Sequence, residues 1–109
     1  MTTAPASIVS VYATFADGEE ARRIARTVID ERLAACANIL GPCLSIYRWQ
    51  DKVEESEEVA AIFKTKADGA ARLVERIAAL HSYDVPAVVA WPGEHGSALL
   101  RDWVEESIG

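Results

Sequence analysis

The sequence predicts an α+β fold, a ferredoxin-like βαββαβ sandwich with a long hairpin between its second and third strands and a helix at the end. Three observations carry that prediction. Two stretches with apolar residues at helical spacing each follow a strand-like stretch. Between them lie two extended stretches that read as one long hairpin. After the second helical stretch comes a short apolar run, so the order is β-α-β-β-α-β with one further helix.

The first element, "SIVSVYATFA" (7–16), is rich in β-branched and aromatic residues and reads as a strand. The stretch "DGEEARRIARTVIDERLAA" (17–35) reads as a helix. Ala21, Ile24, Ala25, Val28 and Ile29 form one face, and Arg22, Arg23, Arg26 and Asp30 the other. Asp17 is placed to cap it, with Glu20 three residues on as the reciprocal partner of a capping box. "CANILGPCLSIYRWQ" (36–50) is extended. Its Gly41-Pro42 step marks a bulge or a sheet edge, because proline has no N–H for a ladder. "QDKVEESEE" reads as a polar turn and "EVAAIFKTK" (58–66) as the returning strand. In "ADGAARLVERIAALHSY" (67–83), Asp68 is the expected cap and Ala70, Leu73, Val74, Ile77 and Leu80 the apolar stripe. Pro86 disfavours helix at Val85, so this helix should stop near His81 to Tyr83. "VPAVVAW" (85–91) reads as a buried strand. "SALLRDWVEES" (97–107) reads as a last helix, capped by Ser97 and burying Leu99, Leu100 and Trp103.

The length of 109 residues suits one domain over residues 7–109, with residues 1–6 as a short disordered lead. The lead lacks a basic stretch followed by an apolar core, so no signal peptide is expected. No run is long and apolar enough for a membrane helix, and a cytoplasmic protein is expected. A net charge of −6 with no basic stripe argues against nucleic acid as a partner. Cys36 and Cys43 are seven residues apart in an extended stretch, about 23 Å at strand rise. A disulfide needs Cα atoms within about 7 Å, so no bridge is expected unless the chain folds back at Gly41-Pro42.

The hairpin strands have room for about 14 residues each, roughly 45 Å, and outrun the seven to ten residues of the flanking strands. The overhang carries Leu44, Ile46, Tyr47 and Trp49 beside unpaired backbone. Such an edge invites pairing with another chain, and closed rotational symmetry keeps that pairing finite. A homo-oligomer follows, with dimer and trimer equally compatible with composition.

"ERLAACANI" (31–39), "SIYRWQDKVEESEEVAAIFKT" (45–65), "HSYDVPAVVAW" (81–91) and the helix of Trp103 together resemble the CutA divalent-cation tolerance family. The resemblance runs in order from about Ile8 to Trp103. It implies a ferredoxin-like protomer in a homotrimer built through the hairpin strands. It also implies a cytoplasmic protein of metal tolerance that binds copper or other divalent ions, and an architecture like that of PII signal proteins. The sequence departs from the family's copper-binding pattern. Ala13 stands where a cysteine is proposed as ligand, Leu80-His81 replaces a histidine pair, and Leu100 replaces a tyrosine often found three residues before the last tryptophan.

His81 is therefore the leading metal candidate, set against a bland reading in which an imidazolium sits at a helix C-terminus. Cys36 is a weaker one, as a soft ligand for Cu(I). Tyr47, Trp49, Glu58 and Lys64 hold family-like positions on the hairpin, and Tyr83 lies in the turn after His81. They read either as interface packing or as an inter-subunit cleft where aromatic walls and an ammonium hold a small anion or metabolite. A buried Lys64 would need a carboxylate, which Glu58 from its own strand or a neighbour could supply. His95 beside Glu94 reads as an exposed loop residue, and the carboxylates of "DKVEESEE" as a solvated hairpin tip. No Gly-rich phosphate loop, zinc-hydrolase motif or nucleophile with an evident base is present. The expectation is a non-enzymatic trimeric protein with affinity for a divalent metal, copper first, no obligatory cofactor and a possible PII-like signalling role. A trimeric scaffold for an unknown protein partner, or a metabolite-binding module, is the alternative.

Overall fold

The computed structural model describes residues 8–109; the expected N-terminal lead lies outside the described residues. The elements run β1 (Ile8–Phe15), α1 (Gly18–Asp30), β2 (Cys36–Trp49), β3 (Lys52–Lys66), a 3₁₀ turn (Ala67–Gly69), α2 (Ala70–Leu80), β4 (Val88–Pro92) and α3 (Ala98–Ser107). The strands form one antiparallel sheet in the order β2-β3-β1-β4. The mixed α+β architecture and its element order match the expectation.

Alternation fixes which face of the sheet is covered. Val9, Val11, Ala13 and Phe15 of β1 share one face with Ala61 and Phe63 of β3. Against that face pack Ala21, Ile24, Ala25 and Val28 of α1 and Leu73 and Ile77 of α2. A smaller cluster, Ala35, Val104 and Ile108, seats α3. The opposite face carries Tyr12, stacked on Trp91 with ring centroids 5.9 Å apart, and neither helix of the main core covers it.

The start of α1 follows its capping box. Asp17 Oδ1 accepts the Glu20 N–H at 2.8 Å, and Glu20 Oε1 accepts the Ala16 N–H at 3.1 Å. The helix ends at Asp30, five residues short of the expected span. Arg32 turns left-handed at φ 62°, and the N–H groups of Leu33 and Ala34 fold back onto the Val28 carbonyl. Arg32 then donates to the last carbonyls of α3, at 2.8 Å to Glu106 and 3.3 Å to Ser107.

Four other expectations are corrected. The segment read as a polar turn belongs to β3, which begins at Lys52; the turn is Gln50-Asp51 alone, with φ 49° and 66°. Asp68 does not cap α2. It lies in the 3₁₀ turn, 3.9 Å from Lys66, and Gly69 holds the cap position without a side-chain bond. β4 starts at Val88, after Pro86, and is half exposed rather than buried, because one face of this edge strand is uncovered. Ser97 does cap α3, its Oγ accepting the Leu100 N–H at 3.1 Å. The face that α3 buries is that of Val104, whereas Leu99 is 84% exposed and Trp103 45%.

The hairpin is as long as expected, 14 residues in β2 and 15 in β3. Its bulge falls between Ile39 and Gly41, where Gly41 takes φ 98°, and β2 lies at the sheet edge, as Pro42 requires. β1 pairs with β3 only from Val59 to Lys66, so Lys52 to Glu58 and the β2 residues opposite them run on alone. Seven residues at strand rise make an overhang of about 23 Å, and the molecule is 51 Å along its longest axis.

Candidate functional site

The chain comes closest to a functional cluster where the overhang begins. The turn after α2 meets the end of β1 and the start of α1 there, and Glu58 of β3 lies alongside. His81 is its hub. Its ring stacks on Phe15 with centroids 5.0 Å apart and an interplanar angle of 13°. Nε2 lies 2.7 Å from the Thr14 carbonyl, and Nδ1 accepts the Tyr83 N–H at 3.1 Å. A carbonyl can only accept, so Nε2 carries the proton and the ring is the neutral Nε2–H tautomer. Both nitrogens are therefore engaged, and the side chain has no solvent exposure. His81 also ends α2, its backbone N–H bonding to the Ala78 carbonyl at 3.4 Å, while its ring bonds to β1 and to its own turn.

Glu20 ties this turn to α1. Its Oε2 accepts the Ser82 N–H at 2.8 Å and lies 4.0 Å from His81 Nδ1. Burial opposes ionisation of Glu20. Hydrogen bonds from Ser82 and from the Ala16 N–H outweigh that and hold its carboxyl below the ordinary 4.5. On the other side, desolvation and then the adjacent Glu58 carboxylate push the Tyr83 phenol up to about 12, so it stays a hydrogen-bond donor at neutral pH. Tyr47 is close enough to Tyr83 to add to that shift, and its hydroxyl lies 3.2 Å from Ser56 Oγ.

Glu58 and Tyr47 both lie near enough to Tyr83 to act on its phenol. Trp49 is farther out, next to the hairpin turn and 42% exposed. Lys64 is not part of this cluster. It lies six residues along β3 from Glu58, about 20 Å, and donates to Asn38 Oδ1 at 3.1 Å. Pairing of Lys64 with Glu58 of its own strand is therefore ruled out by the straightness of the strand. Cys36 and Cys43 are free thiols on β2, opposite Lys64 and Glu58 respectively. His95 is exposed, as expected. Ala13 is buried in the core and Leu80 packs against it, so neither supplies a ligand atom. Among the described residues of one chain, no three His, Cys, Asp or Glu side chains gather as a metal set.

Glu20 is the participant that sequence reasoning missed. It had a sufficient local role in the capping box, and nothing near it in sequence points to Ser82, 62 residues away.

Fold and site together define a small α+β domain with an exposed apolar ribbon and aromatic and acidic groups at its base. The chain belongs to the CutA1 divalent ion tolerance family, whose pattern matches residues 9–107. It is 43% identical over 99 residues to the divalent-cation tolerance protein CutA of Thermus thermophilus, covering 91% of this chain and 96% of that one. It is 35% identical to human protein CutA over 102 residues, 94% of this chain and 57% of that longer one. Among solved structures, CutA from Xylella fastidiosa aligns with a TM-score of 0.91 at 32% identity, covering 94% and 99% of the two chains. The periplasmic divalent cation tolerance protein CutA from Archaeoglobus fulgidus aligns at 0.89 and 36%, with 94% and 99% covered.

Proposed function

We propose that this chain acts in divalent-cation tolerance as a non-catalytic homotrimer of ferredoxin-like protomers joined through the long hairpin strands. One observation carries the assembly. The overhang holds Leu44, Ile46 and Val53 at 60%, 62% and 64% exposure beside two strand edges without partners. Water is a poor neighbour for that surface, and sister subunits are the finite remedy. The metal is a divalent cation, copper foremost, taken weakly in the seams between subunits, where ligands from two chains can combine. The names of the relatives support tolerance, and the engagement of both His81 nitrogens supports a non-catalytic role. The two free thiols favour a reducing compartment, the cytoplasm. A PII-like role, in which a partner protein reads seam occupancy, rests on likeness of fold.

Native mass spectrometry at micromolar protein, with and without Cu²⁺, tests this reading. Expected is a trimer that takes up copper saturably and in fixed stoichiometry. A trimer that ignores copper below millimolar, with a protein partner recovered by pulldown, would instead make the chain a scaffold. Turnover of any substrate would overturn the non-catalytic reading.

A further inference from the structure

The open face of β3 carries two opposite charges that cannot meet within one chain. Glu58 is 8% exposed, and among the described residues no cation lies in ion-pair range of it. Its one identified polar neighbour is the Tyr83 phenol, which is uncharged at neutral pH. A carboxylate so placed is a fitting receptor for a cation from another chain. Lys64 is half-buried on the same face, and its ammonium bonds to a neutral amide oxygen, Asn38 Oδ1. Arg32 is engaged on the carbonyls of α3, Arg76 on Glu31, Lys66 beside Asp68 and Arg101 beside Asp102, and Arg48, opposite Val53, lies on the other face of the ribbon. Lys52 shares the face but stands exposed beside the hairpin turn, where water solvates it.

A cyclic assembly of three copies packs one patch of a surface against a different patch of the next copy. Two complementary charges about 20 Å apart on one strand suit that geometry. We propose that Glu58 receives Lys64 of the partner subunit, completing an ion pair that neither residue finds in its own chain. Three such pairs close a trimer, and they set the register in which the overhanging hairpins dock. The inference rests on the homo-oligomer of the preceding section and adds the residues that select its geometry. It also accounts for a half-buried lysine without an acidic partner in its own chain.

The test is charge reversal in the full chain. Glu58→Lys, Lys64→Glu and the double variant are compared by sedimentation velocity across a guanidinium series, with Lys52→Glu as control. Each single reversal should raise the protein concentration needed for half-assembly by about tenfold or more. The double reversal should return it to within about threefold of wild type, and the control should not move it. An oligomeric wild type whose double variant is no better than its worse single variant overturns the pairing and leaves the oligomer standing. A monomeric wild type overturns both. Where a reversal prevents folding, Glu58→Gln and Lys64→Met replace it in the same cycle. Coupling between them of about tenfold is then expected, and additive effects would overturn the pair.

Discussion

Stacked on Phe15 and bonded through both nitrogens, His81 ties the end of β1 to the turn that follows α2. His81→Ala removes the stacking and leaves the Thr14 carbonyl without a donor in a buried place. It should cost on the order of 3 kcal/mol in denaturant unfolding. Copper affinity by calorimetry should stay unchanged, because the ring has no free lone pair to lose. Glu20 gives the same turn a dependence on pH. Its folded value lies below 4.5, so its contribution is complete above that pH and is lost as pH falls through the folded value. The stability gap between wild type and Glu20→Gln should be widest near neutrality and should shrink below pH 4.5. A gap that widens on acidification would contradict the account. The capping role of Glu20 was legible in the sequence because it spans three residues. Its clasp on Ser82 was not, because that contact exists only once α1 and α2 lie side by side.

Among the elements, the hairpin shows how composition can mislead and alternation can correct it. "DKVEESEE" has the charge of a loop, yet from Lys52 on its residues pair in register with Cys43 to Trp49 for the whole length of the overhang. No Asn-Gly signal marks the true turn. Gln50 and Asp51 occupy left-handed conformations that suit Asn and Gly better. Gln50→Asn with Asp51→Gly should stabilise the fold by about 1 kcal/mol, read as a higher melting temperature. α1 ended early for a reason the helical pattern could not carry, since Arg32 is recruited to the far end of α3. Arg32→Ala should speed amide hydrogen exchange through residues 98–107 while leaving the sheet protected; unchanged exchange there would show that α3 is held by Val104 and Ile108 alone. The exposure of Leu99 and Trp103, against the expectation that α3 buries them, reflects how little of one protomer lies beneath that helix.

The whole molecule is defined by a mismatch of lengths. β1 stops at Phe15, level with Val59, while the β2–β3 ribbon continues for seven more residue pairs. That mismatch was visible in the sequence in the long extended run (36–50) that holds β2, while the charge of residues 51–58 hid the outer half of β3. The gathering of Glu58 with Tyr83, and the distance of Lys64 from both, were visible only in three dimensions. A ribbon of this length calls for completion by sister subunits. Sedimentation equilibrium of the full chain at micromolar concentration without added metal tests it most directly. The predicted result is a mass of three protomers that does not change on dilution. A mass of one protomer, from protein that keeps its full strand signal in circular dichroism, would contradict it.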